Sequence, residues 1–390
     1  MASVRRVLMI APTPFFADRG CHVRILEEVR ALRRLGIETT VVTYHLDRDL
    51  PDVRIERIPR VPWVRRLGVG PSPHKLYLDL LLLVKTRQVA RDLRPELLHA
   101  HLHEGAWIGS VLRRHLRLPL IADLQGGLAG ELLGHGWRRL ARLARRFERR
   151  IVHAPDALLA SSSALARELE ETWGVPSERV VTLVDGVDVE RFHPHYETDA
   201  LQRQWGLDGK RVVVFLGVLT PYQGVDWLLD AVPLVALRVP DVHFLLLGYP
   251  NEDHYRLLAD RRDLRRWVSF PGRVDYALAP RVLCLGQVAV APKLSLTEAN
   301  GKVLNYMAAG LPVVASDTPV NRELLGEWGI YASPGDVEGL AQGLVTLLED
   351  EGRARAAGKA LRERAEAHYA WSVLAPQIVD LYDRLTSKRV

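Results

Sequence analysis

LSLTEANGKVLNYMAAGLPVVAS, residues 294–316, carries the clearest indication of how this chain folds. The stretch follows a short apolar segment, QVAVAPK at residues 287–293, and ends in another, PVVAS at residues 312–316. Both segments are typical of buried parallel strands. Gly310 supplies the left-handed residue that ends a helix, and Pro312 prevents the helix from continuing. The sequence therefore predicts a strand, a loop, a helix that begins at Lys302, and a second strand.

The predicted helix has an apolar face and a polar face at 100° per residue. The apolar face, which we expect to pack on the sheet, consists of Val303, Leu304, Met307 and Ala308. The face of Lys302, which we expect to point outward, also carries Asn305, Tyr306 and Ala309.

Lys302 lies where the positive end of the helix dipole disfavours a cation. A loop that contains Gly301 and leads into free helical N–H groups is a site for an anion, and a bound phosphate would stabilise the lysine there. An exposed lysine without a ligand is the alternative, because its cost is below about 1 kcal/mol.

The length and composition predict two domains in a reducing compartment. A chain of 390 residues with 48% apolar residues is too long for one ordinary core. Its two cysteines, Cys21 and Cys284, suggest neither a disulfide framework nor a metal site. The apolar run at residues 7–12 is short and predicts a first strand rather than a secretory signal. The longest apolar run, LYLDLLLLV from Leu76, is too short to span a bilayer and predicts a buried helix.

Strand patterns separated by helical patterns occur in two series, which predicts an α/β fold of two Rossmann-like halves. The first series is VLMIAP, ETTVVTY, ELLHAH, PLIADLQ, ALLASS and VVTLVDG, starting at residues 7, 38, 96, 119, 157 and 180. After a polar stretch, the second series is RVVVFLG, HFLLLGY, VSFPG, QVAVAPK, PVVAS and IYASP, starting at residues 211, 243, 268, 287, 312 and 330. Two such halves are expected to bind ligands in a cleft beyond the carboxyl ends of their strands.

Glycine-containing turns follow the first strand of each half. Gly20 opens a helix after the first strand, and GVLTPYQG at residues 217–224 precedes a helix in the second half. The helix after this second turn and the helix of Lys302 would converge on one place. A pyrophosphate would satisfy both helix N-termini.

Positive charge is concentrated in two stretches, although the formal net charge is only +6. Residues 138–150 combine seven arginines with an apolar stripe, and residues 54–68 are basic with Trp63. These stretches predict an anionic bilayer or an anionic acceptor as partner, and a solvated arginine face is the alternative. No ribonucleoprotein or zinc-finger pattern indicates nucleic acid as a partner.

In the order of its motifs, the chain resembles the retaining glycosyltransferases of family 4, which have the GT-B fold. The resemblance covers nearly the whole chain. It rests on the Gly20 loop, LLHAH, DGVDVERFHP from Asp185, FLGVLTPYQGVDWLL from Phe215, VSFPGRV from Val268, EANGKVLNYMAAGLPVVASD, SPGD from Ser333 and WSVLAPQIVDLY from Trp371.

The resemblance implies separate roles for three parts of the chain. Residues 1–190 would form an acceptor-binding Rossmann-like domain, residues 191–370 a domain for the nucleotide sugar, and residues 371–390 a helix that crosses back. The implied donor is a UDP- or GDP-sugar, its base read around residues 272–274, and the acceptor is a saccharide or a lipid-linked molecule. The family's chemistry implies no cofactor or metal. We expect a cytoplasmic location, and the two basic stretches predict a peripheral contact with the inner membrane face.

The candidate site residues divide into three groups. The candidate catalytic residues are Glu298, Lys302, His103 and Glu104. The candidate donor-binding residues are Gly20, Gly217, Thr220, Gln223, Gly272, Arg273, Lys293, Asn300, Gly301, Val303 and Asn305. The candidate acceptor-side residues are Arg19, His101 and Gln125.

Departures from the family pattern leave two other functions open. Asn305 or Tyr306 replaces a ribose-binding glutamate, Val218 and Gln223 replace two cations, and Gln125 replaces an acceptor-side histidine. A nucleotide-sugar-binding protein without turnover and a GT-B-type epimerase are therefore alternatives. His99, His101 and His103 alternate and would share one face of a strand, but a metal site is disfavoured because no acidic partners are evident.

Overall fold

The computed structural model describes residues 4–18, 20–68, 72–127, 138–295 and 299–387, without the side chains of residues 138–143. Within these residues the chain forms two parallel sheets covered by helices. The predicted α/β fold with two Rossmann-like halves is confirmed.

The first sheet contains every strand predicted for the first half and one more. Its strands are β1 (Arg6–Ala11), β2 (Glu38–Thr43), β3 (Arg54–Arg57), β4 (Leu97–His101), β5 (Leu120–Leu124), β6 (Ala157–Ala160) and β7 (Val180–Thr182). Their order is β3-β2-β1-β4-β5-β6-β7, and all neighbours are parallel. The extra strand, β3, has the polar sequence RIER. It gives no buried-strand pattern because it lies at the sheet edge.

The second sheet contains the strands predicted for the second half. They are β8 (Arg211–Leu216), β9 (Val242–Leu247), β10 (Val268–Gly272), β11 (Val288–Ala291), β12 (Val313–Ser316) and β13 (Ile330–Ala332). Their order is β10-β9-β8-β11-β12-β13, again parallel throughout. In both sheets the order reverses beside the first strand, which places a crevice at the carboxyl ends of the strands.

Helices and short turns connect these strands. The helices of the first half are α1 (Gly20–Arg34), α2 (His74–Leu93), α3 (Leu102–Leu116), α4 (Arg138–His153) and α5 (Ser163–Arg167). Those of the second half are α6 (Asp199–Trp205), α7 (Val225–Arg238), α8 (Glu252–Arg261), α9 (Ala279–Leu283), α10 (Gly301–Ala308), α11 (Pro319–Leu325), α12 (Val337–Glu349), α13 (Glu351–Arg364) and α14 (Trp371–Ser387). The short helical turns are Glu168–Thr172, Ser177–Arg179, Pro221–Gln223, Gly326–Trp328 and Ala365–Tyr369.

The last helix, α14, returns to the first sheet. It packs against α1, and the Tyr382 hydroxyl lies 2.7 Å from Nδ1 of His99 on β4. Trp371 at its start covers Gly186, where an added Cβ would lie 2.5 Å from the indole ring. Glycine is therefore required where the chain passes the start of α14.

The α2 helix differs from the prediction that it is buried. Leu78 and Leu82 are fully buried, whereas Leu76, Leu80 and Val84 are 75%, 56% and 63% exposed. The three exposed residues are spaced at i, i+4 and i+8, so they form one apolar stripe on the outer face. Among the described residues, no helix combines the length and the apolar character needed to cross a bilayer.

The helices α2, α3 and α4 are neighbours on one face of the first sheet, while α1 and α14 cover the other. Leu82 of α2 packs with the β1 residues Leu8 and Ile10. Ile151 of α4 packs with Ala122 of β5, and α3 contacts both flanking helices. The outer surfaces of α2 and α4 therefore belong to the same side of the first half.

Candidate active site

The helix that contains Lys302, α10, begins as the sequence predicts, but its faces are divided differently. Asn300 is the N-cap residue, and Gly301 and Lys302 open the first turn. Tyr306 and Ala309 were expected on the outward face and are buried instead. The Tyr306 hydroxyl accepts a hydrogen bond of 2.8 Å from the Leu216 N–H and so ties α10 to the end of β8. Of Asn305 and Tyr306, the two candidates for binding a ribose hydroxyl, Tyr306 is thus committed to the core. Asn305 is half-buried and remains a candidate.

Lys302 reaches the turn that follows β8. Its Nζ donates a hydrogen bond of 2.7 Å to Oε1 of Gln223 and lies 4.2 Å from the centre of the Phe215 ring. An added Cβ on Gly217 would lie 2.8 Å from the same Nζ, so a larger residue there would displace the ammonium from this position. Lys302 therefore connects the first turn of α10 with the turn that precedes α7.

Gly248 allows β9 to approach this turn closely. Its φ is +153°, and an added Cβ would lie 1.6 Å from the Gly217 carbonyl oxygen. The Gly217 N–H in turn bonds to the Leu247 carbonyl at 2.9 Å. The backbone beside Lys302 is therefore fixed by the ends of both β8 and β9.

Lys293, the second candidate cation, is largely committed to the loop itself. It is buried, and its Nζ donates a hydrogen bond of 2.6 Å to the Ala299 carbonyl. This contact spans residues 296–298, which lie outside the described residues and include the candidate Glu298. Asn300 and Val303 are also buried, with the Asn300 amide donating to Oδ1 of Asn321 at 2.8 Å. If these two residues contact the donor substrate, they therefore do so through their backbone groups.

The two halves meet around Asp18 in the loop after β1. Its carboxylate accepts hydrogen bonds from Arg273 at 2.6 Å and Arg48 at 2.9 Å, and from the Tyr276 N–H at 3.1 Å. The candidate Arg273, beside Gly272, also lies 5.0 Å from the Tyr249 ring centre. Sequence reasoning selected the Gly20 loop but missed Asp18, because a single acidic residue in a polar loop has no distinctive pattern. Arg19, its neighbour, lies outside the described residues.

A buried ion-pair network of the first half centres on Arg24 and lies next to the start of α10. Its guanidinium contacts the Asp123 carboxylate at 2.7 and 3.0 Å and Asp185 at 2.6 Å. Although burial opposes both effects, this pairing raises the pKa of Arg24 and lowers the pKa of Asp123. An added Cβ on Gly301 would lie 2.8 Å from Oδ2 of Asp185. The start of α10 therefore rests against a carboxylate that Arg24 holds.

The acceptor-side candidates are separated by the structure. His101 ends β4, is fully buried, and lies 3.2 Å from Oδ2 of Asp123 through Nδ1. Its burial argues against direct contact with an acceptor. His99 and His101 share one face of β4, as predicted, and their rings stack 4.6 Å apart. The prediction is wrong for His103, which belongs to α3 and lies 3.3 Å from Glu148.

Gln125 contacts the second half through its backbone, and Glu104 pairs with a neighbouring helix. The Gln125 carbonyl accepts a bond of 3.4 Å from the Ala299 N–H, and its side-chain Nε2 has no hydrogen-bond partner among the described residues. Glu104, in the first turn of α3, pairs with Lys75 of α2 at 2.8 Å. Although burial opposes it, the Lys75 ammonium lowers the pKa of Glu104. Glu104 is therefore a carboxylate and not a proton donor at neutral pH.

Asp79, a buried carboxyl beneath Glu104, predicts a measurable pH dependence. Burial and the Glu104 carboxylate raise the pKa of Asp79 from 3.8 to about 7, and the Tyr44 hydroxyl donates to it at 2.5 Å. The folded protein then keeps a proton that the unfolded chain has released, so the free energy of unfolding falls as the pH rises. For this one group we expect a loss of about 1.4 kcal/mol between pH 6 and pH 8.

Urea unfolding at several pH values measures this loss. Asp79→Asn should remove it, whereas Asp92→Asn, an exposed position on the same helix, should leave it in place. An Asp79→Asn variant with the pH dependence of the parent would show that Asp79 does not hold the proton.

Comparisons with known proteins agree with this geometry. Residues 19–186 match the family model described as Glycosyl transferase 4-like domain, and residues 210–350 match Glycosyl transferases group 1. The chain is 28% identical over 393 residues to a phosphatidyl-myo-inositol mannosyltransferase of Mycolicibacterium smegmatis, covering 98% of this chain and 94% of the relative.

Solved structures of the same fold cover nearly the whole chain. Sucrose-phosphate synthase from Thermosynechococcus elongatus superposes with a TM-score of 0.86 at 20% identity, covering 98% of this chain and all of that one. HepE from Anabaena in complex with UDP-glucose gives 0.78 at 18% identity, covering 97% and 100%. The family models, taken together with these matches along the chain, place this protein in the glycosyl transferases group 1 family as a glycosyltransferase of the GT-B fold.

Proposed function

We propose that the protein is a retaining glycosyltransferase that moves a sugar from a nucleotide-diphosphate sugar to a lipid-linked or saccharide acceptor. The observation that carries the proposal is Lys302, held by Gln223 and Phe215 between the first turn of α10 and the turn that precedes α7. An ammonium group at the N-terminus of a helix suits a diphosphate leaving group. The UDP-glucose complex of HepE, a protein with the same fold, is consistent with such a donor.

The proposed reaction uses the leaving group as its own base. The acceptor oxygen forms a bond to the anomeric carbon on the face from which the phosphate oxygen departs, and that oxygen takes the acceptor's proton. The protein then has to stabilise the negative charge that develops on the diphosphate and to align the two substrates. Lys302 supplies this charge stabilisation, and we expect no metal ion in the step. Glu298, outside the described residues, stays a prediction for sugar binding.

Turnover assays with UDP- and GDP-sugars, each with and without acceptors, test the proposal. Transfer with the anomeric configuration kept is the expected result. An isomerised donor would indicate the epimerase, and binding without release of diphosphate would indicate the binding protein that lacks turnover. Either of these results would overturn the proposed transfer.

The apolar stripe of α2 and the arginines of α4 favour a lipid-linked acceptor. The stripe of Leu76, Leu80 and Val84 starts beside Lys75, which pairs with the candidate catalytic residue Glu104. Trp63, 73% exposed, donates to the Tyr77 hydroxyl next to the stripe. An anionic bilayer contacted by this face would bring lipid headgroups to the cleft. The similarity to a phosphatidyl-myo-inositol mannosyltransferase is consistent with this choice.

The exposed arginines of α4 predict salt-sensitive binding to anionic vesicles. Arg145, Arg146, Arg149 and Arg150 are exposed around Phe147, which is 44% exposed. Changing Arg145 and Arg149 to glutamine is expected to weaken binding to phosphatidylserine-containing vesicles about tenfold at low salt. Co-sedimentation measures the effect.

Two equally exposed arginines of the second half, Arg265 and Arg355, provide the matched control when changed to glutamine. The control variant should bind like the parent. If the parent does not bind anionic vesicles at low ionic strength, the membrane proposal fails and a saccharide acceptor becomes the better choice.

A further inference from the structure

A cluster of four titratable side chains lies inside the first half, apart from the donor-binding residues. Glu28 comes from α1, His99 and His101 from β4, and Asp123 from β5. One ligand atom of each lies within 4.8 Å of the others, and all four side chains are fully buried. The cluster forms because residues 99, 101 and 123 point from adjacent strands to the sheet face that α1 covers.

The cluster contains polar atoms that have no hydrogen-bond partner among the described residues. These atoms are both carboxylate oxygens of Glu28 and Nε2 of His99 and of His101. Buried polar atoms are normally paired, so each of them requires an explanation such as an ion or a proton. A group of several such atoms in one place indicates a missing ligand.

The spacing of the cluster suits a small metal ion. Nδ1 of His99 lies 3.1 Å from Oε1 of Glu28, and Nδ1 of His101 lies 3.2 Å from Oδ2 of Asp123. Two ligands of a tetrahedral zinc ion, each bonded at 2.0–2.1 Å, are separated by about 3.3 Å.

Carboxyl groups outnumber cationic side chains around the cluster. Arg24 is the cation that the structure places against Asp123 and Asp185, and Glu28 is a further carboxyl group nearby. One guanidinium therefore faces three carboxyl groups, which are ligands that a divalent cation accepts.

We propose that Glu28, His99, His101 and Asp123 bind one divalent transition-metal ion of the zinc class. Two imidazoles and two carboxylates are a ligand set that zinc accepts. The ion is structural, because the four side chains expose no surface to a substrate, so the proposal does not alter the metal-free transfer step. The Tyr382 hydroxyl beside His99 belongs to α14, so the ion also connects the first sheet to the last helix.

Metal analysis of untagged protein tests the proposal. After loading with Zn²⁺ or Co²⁺ and gel filtration, we expect about one ion per chain, and Co²⁺ should give visible d–d absorption bands. Removing the ion with a chelator should lower the melting temperature, and restoring Zn²⁺ should recover it. None of these measurements depends on turnover.

Variants locate the ion within the chain. Glu28→Gln and His101→Asn should each abolish the Co²⁺ bands, whereas His115→Gln, an exposed histidine of α3, should keep them. Loss of the bands in the His115→Gln variant, or their retention in the two cluster variants, would place the ion elsewhere. If the folded parent retains no metal after loading, the cluster is balanced by protons, chiefly on Glu28, and the proposal is wrong.

Discussion

Arg24→Ala is expected to lower the free energy of unfolding by about 3–5 kcal/mol, the typical loss when one partner of a buried ion pair is removed. The Arg24 side chain is 1% exposed, and its partners Asp123 and Asp185 are 0% and 16% exposed. Without the guanidinium, Asp123 loses two hydrogen bonds and remains a buried carboxylate. Of its described partners, Asp123 then keeps His101, whose Nδ1 lies 3.2 Å from Oδ2.

Urea unfolding in the presence of EDTA measures this loss independently of the proposed metal ion. Arg265→Ala, which removes an arginine paired with Asp260 on the surface, is the matched control and should leave the unfolding midpoint unchanged. An Arg24→Met variant separates packing from charge, because it keeps most of the side-chain volume and should still be strongly destabilised. A loss below about 1 kcal/mol in both Arg24 variants would show that the pair is not a main contributor to stability.

Lys302→Ala is expected to weaken binding of the nucleoside diphosphate by about 2 kcal/mol or more, close to 30-fold in Kd. The substitution removes a charge-assisted contact with the diphosphate. Because Gln223 and Phe215 already hold the ammonium, the parent loses little side-chain entropy on binding, which adds to the difference. Calorimetric titration with UDP and with GDP measures the effect.

A matched control for this experiment is Lys359→Ala, which removes an exposed lysine of α13. Its affinity for either diphosphate should equal that of the parent. Gln223→Ala should have a smaller effect than Lys302→Ala, because it loosens the ammonium without removing it. If folded Lys302→Ala protein binds both diphosphates as tightly as the parent, Lys302 does not belong to the donor site.

The local sequence pattern was sufficient to predict most of the secondary structure. Every predicted strand is present, and α10 begins at Gly301, one residue before the predicted start. These elements were predictable because hydrophobic period, glycine and proline act over a few residues. β3 was missed because its polar sequence, at the sheet edge, carries no such period.

The side chains that surround the site were decided by tertiary contacts. Tyr306 has the spacing of an outward residue, yet it is buried because the Leu216 backbone offers it a partner. The stripe on α2 is apolar enough to predict burial, but no described element of the chain covers it.

The sequence by itself determined two series of parallel strands, the helix of Lys302 and the glycine-containing turn that meets it. The tertiary structure alone decided which distant side chains share a place: Asp18 with Arg273, Arg24 with Asp185, and Glu28 with the β4 histidines. The physical reason is the strand order, which brings β1 beside β4 and β5 next to β4, together with the packing of α1 over their common face. Hydrophobic periodicity fixes which face of an element is buried, whereas the choice of partners on that face depends on contacts between residues far apart in the chain.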